Sequence, residues 1–229
     1  GAGTGHLVQL GDGADTVTGG TGLVSLTLGD GDDSVAVGGN NNYIRLGNGD
    51  DGVALGAGTG HLVQLGDGAD TVTGGTGMVG LTLGDGSDAV TLGGYNNSVM
   101  VGGGADTISL PGGGNSVTGG EGALTLALYG GNDAVFLPGG TTTIADHSNA
   151  LRVDIAAGAT SLTLTTFNAA SGAVIDLVGG DGFTSVAQLL ATLRSDGAGG
   201  GVLPLEGGGT IHFVALPPTA LAAANFTLG

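Results

Sequence analysis

Leu65-Gly-Asp-Gly-Ala-Asp70-Thr-Val-Thr73 decides how this chain folds, because close variants of it return at a regular spacing from about Leu10 to Ala145. Aligning the Gly-x-Gly-x-Asp cores puts Asp15, Asp33, Asp51, Asp70, Asp88 and Asp106 at one repeated position, with successive intervals of 18, 18, 19, 18 and 18. The unit is nine residues, and two units make a coil. A 55-residue super-repeat overlies this, and Gly1–Gly22 recurs residue for residue at Gly56–Gly77. A chain that starts partway through its own repeat reads as a fragment of something longer. The extra residue, in the Leu55–Gln64 unit, predicts a bulge or a wider turn.

Each unit has a turn half and a strand half. The strand halves place apolar residues two apart, as in Val35/Val37, Ile44/Leu46, Val53/Leu55, Val63/Leu65 and Val90/Leu92. Period two over so short a run is β rather than helix. Thr71, Thr73, Ser98, Thr107 and Ser109 supply a small, polar outer face. One such strand buries nothing alone, but stacked coils make a continuous Val/Leu ladder. The fold class expected is therefore all-β, a parallel β-roll or β-solenoid of 18-residue coils. At about 4.8 Å per coil, seven or so coils make a rod on the order of 35 Å long. A β-propeller would need blades of roughly 40 residues.

Composition narrows the function. The chain has 20 acidic residues, three arginines, no lysine and a formal charge of −17. That field disfavours nucleic acid and anionic membranes as partners. Twelve of the acids lie between Asp12 and Asp106, nearly all in the glycine-rich loops, so they serve more than solubility. Bound divalent cations would neutralise them. There is no cysteine, hence neither disulfide nor thiolate site, and no apolar run long enough for a transmembrane helix.

Calcium takes six to eight oxygens from carboxylates, carbonyls and water. One loop cannot fill that shell, whereas loops of two successive coils can. The expected metal residues are Asp15, Asp33, Asp51, Asp70, Asp88 and Asp106. Backbone carbonyls come from Gly11 and Gly13, Gly29 and Gly31, Gly47 and Gly49, Gly66 and Gly68, Gly84 and Gly86, and Gly102 and Gly104. Asp12, Asp30, Asp67 and Asp85, with Asn48 at the same loop position, are weaker candidates, with the capping of backbone N–H groups as the alternative. Asp32 and Asp50 should face solvent. On the opposite edge the matching positions read Val24, Asn42, Gly60, Val79, Asn97, Asn115 and Asp133. Asparagines there suggest an amide ladder, and Asp133 an orphan and a weaker metal candidate. The first-edge row should end after Asp106, where Leu124 and Thr142 follow.

No serine elbow, HExxH or Walker loop is present, and Glu121 and Glu206 lack a carboxylate partner suited to glycosidase chemistry. His6 and His61 lie three coils apart and cannot share a metal, and surface positions are expected for His147 and His212. Thr16/Thr18 and Thr71/Thr73 suggest a flat ice-contacting face, but Ser34/Ala36 and Gly52/Ala54 interrupt it.

Beyond Thr141 the period decays. Strands are expected at Thr160–Thr166 and Ala173–Val178, and a helix at Ser185–Arg194 with Arg194 at its end. A hairpin is expected around Glu206, then a short turn or helix at Thr219–Ala224. The division expected is 1–145 as the repeat body and 146–229 as a non-repetitive cap.

Gly66-Asp-Gly-Ala-Asp70-Thr-Val72 and its neighbours resemble the nonapeptide of hemolysin-type (repeats-in-toxin) calcium-binding proteins. The resemblance maps the family aspartate onto Asp15, Asp33, Asp51, Asp70, Asp88, Asp106 and Asp133. Its buried strand residue maps onto Val17, Val35, Val53, Val72, Val90, Ile108 and Val135. The tail segments Phe167–Leu177, Gly182–Leu190, Gly209–Leu216 and Leu221–Leu228 also resemble the family's C-terminal region. What this implies is a right-handed β-roll with Ca2+ in its turns and a type I secretion signal at its end. Partners would be calcium ions and the type I secretion machinery, and the location secreted, extracellular or cell surface. The expected role is a non-catalytic structural module that self-assembles into a fibre or surface lattice. The alternatives are the carrier tail of a secreted enzyme or toxin, and an ice-binding solenoid.

Overall fold

The structure is a computed structural model that describes residues 5–157 and 160–229; residues 1–4, which open the first repeat copy, lie outside it. Two sheets run side by side, an 11-stranded one from His6–Gln9 to Phe226–Leu228 and a 12-stranded one from Thr16–Thr18 to Arg194–Ser195. Successive strands alternate between the sheets, so each coil contributes one strand to each. Pairing is parallel and joins equivalent positions of neighbouring coils, for example Val72 with Val90 and Val90 with Ile108.

Alternation sets the core. Thr71–Gly74 buries Val72, Ala89–Leu92 buries Val90 and Leu92, and their threonines face outward. Val35, Val37, Ile44, Leu46, Val53, Leu55, Val63 and Leu65 are all buried, as their spacing requires. Val17, in the first described coil, is half-buried. Burying an aliphatic side chain of this size contributes roughly 1.5–3 kcal/mol, so the ladder stabilises the stack coil by coil.

The extra residue widens the turn at 56–60. Gly56 still bonds Val37, but Tyr43 pairs with Leu62, a step of 19. The rung of the second edge in that coil is therefore His61, not Gly60. The insertion lies in the turn before the rung, which moves the rung one residue along.

The tail continues the roll. Arg152–Ala156, Val174–Val178 and Phe226–Leu228 extend the first sheet in parallel, and Ser161–Thr166 and Thr210–Phe213 extend the second. Antiparallel pairing enters among the described residues only at Gly201–Pro204, which forms the hairpin around Glu206 with Thr210–Phe213 and pairs on its other side with Arg194–Ser195. The helix is Val186–Thr192, capped by Ser185, whose hydroxyl accepts the Gln188 N–H. Arg194 lies beyond the helix, in the short edge strand, and not at its C-terminus. Two 3-10 turns, Pro218–Ala220 and Ala223–Asn225, replace the single turn or helix expected there.

Candidate metal centre

The first edge is a column of aspartates joined coil to coil. The backbone N–H of Asp15 donates to Oδ1 of Asp33 at 2.8 Å. Asp33 repeats this with Asp51, Asp51 with Asp70 and Asp70 with Asp88, each at 2.9 Å, and Asp88 with Asp106 at 3.1 Å. Asp33 through Asp106 are buried, and Asp15 is half-buried. Each side chain thus reaches back toward the coil before it. The period forces this: the aspartate immediately precedes the outward residue that opens a strand, so it points inward at the corner.

Glycine makes the close stacking possible. Gly68 has φ +149, and a β-carbon there would collide with the Gly49 carbonyl. Gly31, Gly49, Gly86 and Gly104 repeat the conformation. L side chains avoid that region, which explains glycine at this loop position.

The hydrogen bonds divide the loop oxygens into spent and free. Carbonyls of Gly11, Gly29, Gly47, Gly66 and Gly84 each accept the N–H of the matching glycine one coil on, at 3.0–3.2 Å. Among the described residues, the carbonyls of Gly13, Gly31, Gly49 and Gly68 accept no hydrogen bond. The second carboxylate oxygen, Oδ2, of Asp33, Asp51, Asp70 and Asp88 is buried and also has no partner. A buried unpartnered charged oxygen is costly. The free donors are hard oxygens of the type calcium takes.

Asp12, Asp30, Asp67 and Asp85 do something else. Their Oδ1 atoms accept backbone N–H groups of the next loop, from Asp30, Asn48, Asp85 and Gly103. Asn48 stands in the same column and accepts from Asp67 at 3.0 Å. An amide serves there as well as a carboxylate, which identifies capping as the role. Asp32 and Asp50 are exposed, as expected, and cap in the same way.

Electrostatics set the first-edge column apart. Burial pushes Asp51 and Asp106 up to about 6 and Asp70 to about 7, partly offset by the N–H each accepts; neighbouring carboxylates raise them further. Asp33 and Asp88 are raised too, by burial first. Among the described residues, ion pairs involve only Arg152 and His212, so no basic side chain neutralises the column.

The second edge is the amide ladder its sequence suggests. Val79 N–H donates to Asn97 Oδ1, and Asn97 N–H and Nδ2 to Asn115 Oδ1, all at 3.0 Å. Each Nδ2 also reaches a loop carbonyl, Gly94 for Asn97 and Gly112 for Asn115. Asn42 takes Val24 N–H and meets Nδ1 of His61 at 3.2 Å. Asp133 is no orphan: its Oδ1 closes the ladder by accepting Asn115 N and Nδ2 at 2.8 and 2.9 Å. The mid-ladder histidine is hidden in the sequence because the inserted residue shifts the alignment by one.

Among the described residues no three His, Cys, Asp or Glu side chains converge as a metal-binding group. The first edge instead brings together pairs of rung carboxylates and glycine carbonyls. Among the described residues no helix is long and apolar enough to cross a membrane. No family model matches the chain, and no curated protein or solved structure matches it.

Proposed function

We propose that this chain is a calcium-binding β-roll module of a secreted bacterial protein, non-catalytic and structural. It would take up Ca2+ along the first edge, in the gaps between successive loops from Asp15 to Asp106. The observation that carries the reading is the run of buried, unpartnered Oδ2 atoms on Asp33, Asp51, Asp70 and Asp88 beside free glycine carbonyls. The gaps from Asp15 to Asp88 each offer free oxygens from two coils, and water completes a calcium shell; in the last gap, Asp88 to Asp106, the Gly86 and Gly104 carbonyls are already taken by the N–H groups of Ala105 and Ala123. Magnesium, which keeps a water-rich octahedral shell, suits such a backbone-lined gap less well.

Calcium would bind the folded chain alone and so draw folding forward by mass action. Low calcium inside the cell would then leave the acidic repeats unfolded and exportable, and external calcium would fold them. The resemblance of the tail to a type I secretion region supports export by that route. Regular coils, and a second sheet whose outward side chains are small, such as Thr71, Thr73, Thr91 and Thr107, support assembly into a fibre or surface lattice.

The test is a calcium titration of metal-stripped protein, followed by circular dichroism and sedimentation. A disorder-to-β transition near millimolar calcium, with assembly, is the expected result. Full β structure in chelator would sink the calcium reading. A transition without assembly would leave the module calcium-dependent but remove its lattice role.

A further inference from the structure

One core position breaks its own pattern. The inward end of the strands in the second sheet holds Val37, Leu55, Gly74, Leu92, Leu110 and Leu128 in successive coils, and the next residue in that column is Asp146. A carboxylate stands where the stack buries leucine. Asp146 is 3% exposed; its Oδ1 accepts the N–H and hydroxyl of Ser148 at 2.8 and 2.5 Å, and its Oδ2 is buried without a partner.

Asp133 lies in the turn of the coil below. It is 1% exposed, and its Oδ2 is equally unpartnered. The loop after Asp146 sits directly on the loop that ends at Asp133: His147 N–H bonds Leu128 O at 2.8 Å, Asn132 N–H bonds Asn149 O at 2.9 Å, and Arg152 N–H bonds Asp133 O at 2.9 Å. Burial raises the Asp133 carboxyl, and the charge of Asp146 raises it further. Among the described residues no basic side chain pairs with either carboxylate. The Arg152 guanidinium is held by Asp154 and Asp176, and the exposed His147 ring stacks on Tyr129 at 5.0 Å.

Access is built in. The pairing of Thr141–Asp146 with Ser161–Thr166 slips after Ile144, and beside the slip a cavity of about 380 Å³ opens, lined by Asp146, Thr165, Thr166 and Asn168 among others.

We propose that Asp133 and Asp146 bind one calcium-type divalent cation between the last rung of the second-edge ladder and the C-terminal region. This site is separate from the first-edge row. Leu151 follows Asp133 in its own column, so the second carboxylate comes from a core strand end and not from a repeat loop. It stands whether or not the first edge binds calcium.

Terbium(III) tests it, since this ion replaces calcium at oxygen sites and emits when a tyrosine lies close. Tyr129, through its contact with His147, is the tyrosine beside Asp146; the chain has two others and no tryptophan. In the full chain, Tyr129→Phe should remove one component of the tyrosine-sensitised emission. Asp146→Asn and Asp133→Asn should remove the same component, while Asp70→Asn should leave it. Asp146→Leu restores the column's own residue. It should raise the melting temperature in chelator and still lack the component, which separates loss of the ion from loss of the fold. Emission unchanged in Asp146→Asn and Asp146→Leu would overturn the proposal and mean that the pair is relieved by a proton. Emission lost in Tyr129→Phe but kept in both Asp146 variants would overturn it too.

Discussion

The two edges of the roll use one hydrogen-bond geometry with opposite chemistry. On both, a side-chain oxygen accepts the backbone N–H of the coil before it, at 2.8–3.1 Å. Asparagine then spends its remaining group, because Nδ2 donates to a glycine carbonyl and to the next rung. Aspartate has no such group. Its Oδ2 stays buried and bare from Asp33 to Asp88. A difference of one atom type makes one edge self-sufficient and leaves the other in need of a proton or a cation.

The largest way to break this contrast is to supply the proton. The raised carboxyls, near 6 for Asp51 and Asp106 and near 7 for Asp70, bind protons more tightly in the folded chain than unfolded, where aspartate titrates at about 3.9. Their stabilisation is thus fully present below about pH 4 and is lost as pH rises through 6–7. In chelator, the urea midpoint should be higher at pH 4.5 than at pH 7.5. With calcium the order should reverse, because protons then compete with the ion. A midpoint in chelator that falls on acidification would contradict the bare-oxygen account.

Exchanging the chemistry sharpens it. Asn97→Asp plants an unpartnered carboxylate against the Gly94 carbonyl and Asn115 Oδ1, at a cost of roughly 2–4 kcal/mol at neutral pH. The loss should shrink at pH 4.5, and denaturant curves at both pH values measure it. Asp70→Asn does the reverse. The calcium-free chain should gain about 1 kcal/mol, and calorimetry should show weaker binding in the two gaps that flank residue 70. A calcium isotherm identical to that of the parent would place the ions elsewhere. The smallest effect is expected of Asp30→Asn, which keeps the cap that Asn48 already makes. Its stability should stay within about 0.5 kcal/mol, with calcium binding unchanged.

Much of this was legible because one residue type recurs at one spacing. Period two in Val35/Val37 and Val90/Leu92 located the inner face, and the regular return of aspartate, once per coil, located the corner. Free and spent oxygens were not legible, since Gly11 and Gly13 look alike in sequence and differ only in which carbonyl meets the next coil's N–H. His61 was hidden by the inserted residue. Asp146 carried a signal that the loop motif obscures: it stands one full coil after Leu128, its partner in the sheet, and breaks the leucine column. The tail strands lost their glycine period yet kept their register, because inward Val153, Ile155, Ile175 and Leu177 preserve the alternation that a coil needs.

The parallel pairing has a mechanical side. Hydrogen bonds between strands run along the stacking direction, so a pull on the two ends loads every gap between coils in series. Such a rod is only as strong as its weakest gap. In the gaps from Val79 to Asn115 both corners share the load, and the amide corner holds without help. The carboxylate corner would then set the force at which coils part, and ambient calcium would set the carboxylate corner. Stretching single molecules in calcium and in chelator would measure this, and equal rupture forces in the two would refute it.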